Sequence, residues 1–263
     1  MAVDFSAQPL FAPIAGLLRA LICNGEPPDV AVLNERAEQS DLRNSQGRPI
    51  RFVIPGGSGL SYEERIYWLG EVETRPGNWH DLLNAVVWLT FPRSKTVLNA
   101  RHHAARAALR SAGRAERGPL RDALTHFDEC GAVVVSDDPT MWSDIRAHRW
   151  KELFWLRRGE VVNSLRLFVF GHATYDTLRT PHIGLCAKAI FLPVTGAWTS
   201  QGLAAQLEDI DRRLADRFGS DHYARPRDFA PLPLLGVPGA TADNEYPAYY
   251  EDTRQFRPLR AVR

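Results

Sequence analysis

Cysteine is scarce in this sequence: three among 263 residues, Cys23, Cys130 and Cys186. An odd number with no paired spacing excludes a disulfide framework or a zinc knuckle and points to a reducing compartment. Charge of one sign is lacking too, since 32 Lys and Arg face 31 Asp and Glu for a net +1. No apolar run reaches the about 20 residues that a bilayer requires. The stretch LFAPIAGLLRALIC at 10–23 carries Arg19, follows Asp4 and has neither a basic leader nor the usual small-residue cleavage site. It reads as an amphipathic helix covering the core, and the expected location is the cytoplasm, with no membrane partner. Internal repeats and low-complexity linkers are also lacking, so one globular domain is expected over 1–263. What remains is an ordinary globular composition, 44% hydrophobic and 24% charged.

Punctuating residues mark the elements. Residues 24–61 are rich in Gly, Pro, Asn and Ser around one short strand candidate, RFVI at 51–54, and RIYWLGEV at 65–72 reads as extended. A helix is predicted from Trp79 to Phe91, with Asn78 as its N-cap and Pro92 as its stop. A second runs from Ser94 to Ala112, and a third from Pro119 to Cys130, ended by Gly131. AVVVS at 132–136 is a buried strand by its β-branched run. Helices near 139–157 and 158–178, a strand at 185–194 and a helix at 203–218 follow, and an irregular Pro-rich wrap closes the chain from about 225. The fold class expected is α+β, a mainly helical single domain with a few short strands; mostly α is the alternative.

Polar residues interrupt these apolar patterns at helical spacing. His80 and Asn84 share a face of a helix that is otherwise Leu, Val and Trp. Buried polar groups need partners, and the neighbouring segments offer them: Asn99 with His102, Asp122 with His126 and Glu129, and His172 with Asp176. The strings WHDLLNAVVWLTFPRSK, LNARH, RDALTHFDECG, RWKELFW, FVFGHATYD and PLPLLGVPG together resemble the bacterial family catalogued as domain of unknown function 3025, from about residue 50 to the C-terminus. Asp176 stands where that family leads one to expect Glu, which keeps the carboxylate, and Ala240 where it leads one to expect Trp. The resemblance implies unity of fold and carries no activity with it.

A His beside a carboxylate suits general acid–base catalysis or a divalent metal, and equally a polar network that only locks the core. HExxH and the carboxylate-bridged Glu-x-x-His repeat are absent. PGGSGL at 55–60 is neither a nucleophile elbow nor a P-loop and reads as a turn. His80 sits inside a first helical turn rather than at a strand end, which argues against a ββα-metal finger. Between Arg93 and Arg121, eight basic residues face Glu116 alone, a local +7 that leaves −6 for the rest of the chain. Arg106, Arg110, Arg114 and Arg117 would line one face, if Gly113 did not interrupt it, and suit phosphate or a nucleic-acid backbone; a solvated basic face is the plainer explanation. Arg254, Arg257, Arg260 and Arg263 form a second basic set.

Two functions of different class follow. One is a hydrolase, with or without a divalent metal, whose catalytic set is His80, Asp81, Asn84, His102, Asp122, Asp128, Glu129 and His172, acting on a phosphate-bearing substrate. The other is a non-catalytic module in which these groups form a structural polar network, while the basic face binds nucleic acid or an acidic partner. Convergence in an open cleft favours the first, and a sealed, mutually hydrogen-bonded network favours the second.

Overall fold

The computed structural model describes residues 8–22, 24–57, 59–113 and 118–259. Asp4, Cys23, Ser58, Arg114, Glu116, Arg117, Arg260 and Arg263, all used in reading the sequence, lie outside them. A 3₁₀ turn at Pro9–Phe11 leads into α1 (Ala12–Leu21), whose Ile14, Leu18 and Leu21 recur at helical spacing and are buried. α2 (Val30–Gln39) follows, inside a stretch whose loop-like composition concealed it. β1 (Arg51–Val53) lies where a strand is expected.

The extended segment expected at 65–72 is a helix for most of its length. Residues Tyr62–Leu69 form α3, started by Glu64, which accepts from the Ser61 backbone N–H at 3.1 Å, and stopped by Gly70 at φ +74°. Only Glu71–Glu73 is extended, as β2, parallel to β1. α4 (Trp79–Thr90) has the expected cap: Asn78 accepts from the Asp81 N–H at 3.0 Å. Pro92 ends that helix and opens α5 (Pro92–Ser111). α6 (Pro119–Cys130) runs directly into β3 (Gly131–Ser136), every residue of which is buried.

α7 (Pro139–Arg146) and a π-helical turn at Glu152–Leu156 precede α8 (Arg158–Ser164). The helix expected over 158–178 is broken here, because Leu165–Val169 is strand β4, and helix resumes only as α9 (His172–Leu178). LRLFV is too short for its period to separate strand from helix, and pairing with β3 decides. β5 (Cys186–Pro193), α10 (Gly196–Thr199), α11 (Leu203–Gly219) and β6 (Ala230–Pro233) complete the elements, and short 3₁₀ turns follow. The expected irregular wrap thus includes one strand.

The larger sheet has the order β4-β3-β5-β6, with β3 and β5 parallel at its centre and both outer strands antiparallel. Helices pack on it through an aromatic cluster in which Phe127 meets Phe170, Phe218 and Phe229 at centroid separations of 5.0, 4.6 and 5.5 Å. The chain is α+β and mainly helical. Among the described residues no helix is long and apolar enough to cross a membrane.

One capping contact makes stability depend on pH. Asp138 accepts from the Thr140 hydroxyl and N–H at the start of α7 and pairs with Arg157, and these contacts hold its carboxyl below 3.8 against the opposing effect of burial. A folded value below the unfolded one gives stabilisation that is fully present well above the unfolded value and is lost as pH falls through the folded value. Asp138→Asn should therefore flatten the acid limb of stability against pH in urea titrations, and an unchanged limb would show the contact to be idle.

Candidate functional site

Strand register builds the site. β3 begins where α6 ends, and its Ala132 pairs with Val169 at the end of β4, just before α9 begins. Phe170 and Gly171 both donate their N–H to the Gly131 carbonyl at 2.9 Å. The last turn of α6, with Asp128 and Glu129, is thereby set against the first residue of α9, His172. Gly171 is what lets the two helices meet: a Cβ there would lie 2.3 Å from the Glu129 carbonyl oxygen and 2.6 Å from Cys130 Cα. α4 packs across α9, and the rings of His80 and His172 come within 4.6 Å, edge to face.

His172 is buried, and its Nδ1 lies 2.9 Å from the Asp128 carbonyl oxygen. A carbonyl only accepts, so Nδ1 carries the proton and Nε2 presents a lone pair. Nε2 faces Glu129 Oε2 at 3.4 Å. Burial pulls the imidazole down to about 4, with Lys95 and His80 adding to the effect against the Asp128 carboxylate, so the ring is neutral at pH 7. Ligand-type atoms of His80, Glu129 and His172 all lie within 4.8 Å of one another. His80 and Glu129 each keep 37% of the side chain exposed, and His80 Nδ1 is 3.9 Å from Asp176 Oδ2.

Beside this group runs a buried chain of hydrogen bonds. Lys95, 3% exposed, donates to Asp128 Oδ1 at 2.5 Å and to Asn84 Oδ1 at 2.9 Å. Asn84 in turn donates to the Tyr62 hydroxyl at 2.7 Å. Burial works to raise the Asp128 carboxyl, yet Lys95 and His172 outweigh it and hold the group below the usual carboxylate range. The Tyr62 phenol is pushed well up by burial and by Asp128; although 37% of the residue is exposed, its hydroxyl is turned inward to Asn84. Tyr62, Lys95 and Asp128, with Trp88, Asn99, His102, Thr125 and Glu129, wall a cleft of about 270 Å³.

Of the eight side chains that the sequence nominates, His80, Asn84, His102, Asp128, Glu129 and His172 lie in this group or line the cleft. Asp81 turns the other way, and its carboxylate takes the Arg75 N–H at 2.8 Å, Nε at 2.8 Å and Nη2 at 2.9 Å, tying down the turn before α4. Asp122 sits in the first turn of α6, about 10 Å along the axis from Glu129, where it suits the helix dipole. Lys95 and Tyr62 are absent from the nominated set. Lys95 had a signal, since Leu98, Asn99 and His102 follow it at i+3, i+4 and i+7 and all four are buried; Tyr62 had none.

The arginines of the stripe that are described pair with α3. Arg106 pairs with Glu64 at 3.0 Å, Arg110 reaches the same carboxylate at 3.3 Å, and Arg121 lies 3.8 Å from Glu63. Arg101 donates to the Phe218 and Ser220 carbonyls, and Lys95 is inside.

The family model described as Protein of unknown function (DUF3025) matches residues 50–260, which include every residue of this site. The chain belongs to that family. No curated protein and no solved structure matches it. The DUF3025 match runs from β1 to beyond β6, so the register that joins α6 to α9 lies wholly within it.

Proposed function

We propose that this DUF3025 member is a hydrolase whose reactive centre is the His80, Glu129 and His172 group and whose substrate enters the adjoining cleft. The observation that supports it most is the convergence of three lone-pair donors from three helices at one point beside a polar cleft. The neutral imidazole Nε2 of His172 and a Glu129 carboxylate oxygen lie 3.4 Å apart, two basic atoms that one water or ion could bridge. Water donating into such a group gains nucleophilic character on its own oxygen. The protonated Tyr62 hydroxyl, in the cleft wall, accepts from Asn84 and keeps its own proton to donate to negative charge developing on a substrate. For a phosphate-bearing substrate, Lys95, Arg106 and Arg110 are all already engaged, the first by Asp128 and the other two by Glu64, so such a substrate must compete with those carboxylates.

The second reading, a non-catalytic module, is favoured by the sealed Lys95, Asp128 and Asn84 chain, whose groups satisfy one another. Turnover separates the two. Across a panel of phosphate monoesters, phosphate diesters, carboxylic esters and amides, at least one class should be hydrolysed, and Glu129→Gln should lower the rate by about 10²-fold or more. No turnover of any class, or a rate indifferent to both Glu129→Gln and His172→Ala, would leave the module.

A further inference from the structure

We propose that His80, Glu129 and His172 bind one divalent transition-metal ion of the zinc type. Two imidazoles and one carboxylate form a set that suits zinc and neighbouring ions and falls short of the oxygen-rich shell that calcium requires. The three come from α4, α6 and α9, so the fold, and not one flexible segment, brings them together.

Distances support it. Two ligands held at about 2.0–2.1 Å from a tetrahedral ion stand about 3.3 Å apart, and His172 Nε2 and Glu129 Oε2 are separated by 3.4 Å. His172 also has the partner that metal-binding histidines usually have: its other ring nitrogen donates to a backbone carbonyl, that of Asp128, which fixes the tautomer. Asp176, 3.9 Å from His80 Nδ1 and anchored by Arg179 at 2.8 Å, is placed to do the same for the second imidazole after a small approach. His80 and Glu129 are half-exposed, so their side chains can close the remaining gap, which is at most 4.8 Å between ligand atoms.

Charge does not oppose the ion. The nearest buried cation, Lys95, is already held by Asp128. Three protein ligands would leave a fourth position, and Glu129, which also lines the cleft, joins the ion site to the proposed substrate side. When bound, the ion would polarise water by Lewis acidity. Its catalytic meaning rests on the hydrolase reading, whereas binding itself does not.

Binding is therefore tested without turnover, on the full chain stripped with a chelator and titrated with Zn²⁺ by calorimetry. One ion per chain is expected, with Mg²⁺ binding far more weakly, and with a thermal midpoint that rises with Zn²⁺ concentration. His80→Gln and Glu129→Gln, at half-exposed positions that the fold tolerates, should each weaken binding by about 100-fold or more, while His182→Ala, at an exposed histidine elsewhere, should bind like the parent. No one-to-one binding, or binding that survives both substitutions, overturns the site. Turnover that persists in the stripped protein overturns the ion's catalytic part and keeps the hydrolase; Zn²⁺ bound at these residues with no substrate turned over keeps the site and removes the hydrolase.

Discussion

Lys95→Met is expected to cost about 3–5 kcal/mol of stability, because it breaks a buried ion pair from one side. The ammonium is 3% exposed, sits 2.5 Å from Asp128 and 2.9 Å from Asn84, and lies 5.3 Å from the centroid of the Trp88 ring. Methionine fills much of the same space but leaves the Asp128 carboxylate without its ammonium and takes the donor from Asn84. The charge, and not the volume, should account for most of the loss. Lys95→Met combined with Asp128→Asn should then recover more than half of it, since no uncompensated charge remains. Denaturation midpoints at constant slope measure both. A loss below about 1 kcal/mol would mean that water reaches the pair, which would make Lys95 a surface cation.

That residue also shows where sequence stops informing. Local punctuation was legible: Asn78 capping α4, Pro119 opening α6 and Gly131 closing it all act within a few residues of the element they bound. The capping residues Ser61 and Glu64 were equally local, but aromatic and β-branched neighbours in RIYWLGEV pulled the reading toward strand. β4 is a different matter. LRLFV becomes a strand through pairing with β3, some 30 residues earlier, and no local pattern carries that information. The site divides likewise. Because polar groups on apolar faces must find partners, His80 with Asn84, Glu129 and His172 stand out in the sequence, but spacing pairs Glu129 with Asp122 and His126, and His172 with Asp176, whereas the fold sets His172 against Asp128 and Glu129. Asp81 obeyed that rule with Arg75 instead, six residues back, where no helical spacing would place it. Along the chain Lys95 belongs with its basic neighbours, although its burial follows the face of α5 that it shares with Leu98 and His102.

Gly171→Ala should damage the site more than it damages the fold. An added Cβ would stand 2.3 Å from the Glu129 carbonyl oxygen and 2.6 Å from both Cys130 Cα and Cys130 N, all of them backbone atoms that no rotamer change can clear. α6 and α9 must move apart, and the overpacking should cost about 1–3 kcal/mol. The same movement separates Glu129 from His172, whose 3.4 Å spacing is what both the reactive centre and the ion require. Misplacement by about 1 Å can lower a rate by about 10²-fold, so turnover and Zn²⁺ affinity should fall steeply even at temperatures where the variant stays folded. Gly16→Ala supplies the contrast. It lies exposed within α1 with nothing near its missing Cβ, so it should gain about 0.5–1 kcal/mol and leave the site untouched. Thermal unfolding and ion titration on both variants decide the matter: a Gly171→Ala protein that binds Zn²⁺ and turns over substrate like its parent would show that the approach of α6 to α9 is packing alone, and that the chemistry lies elsewhere.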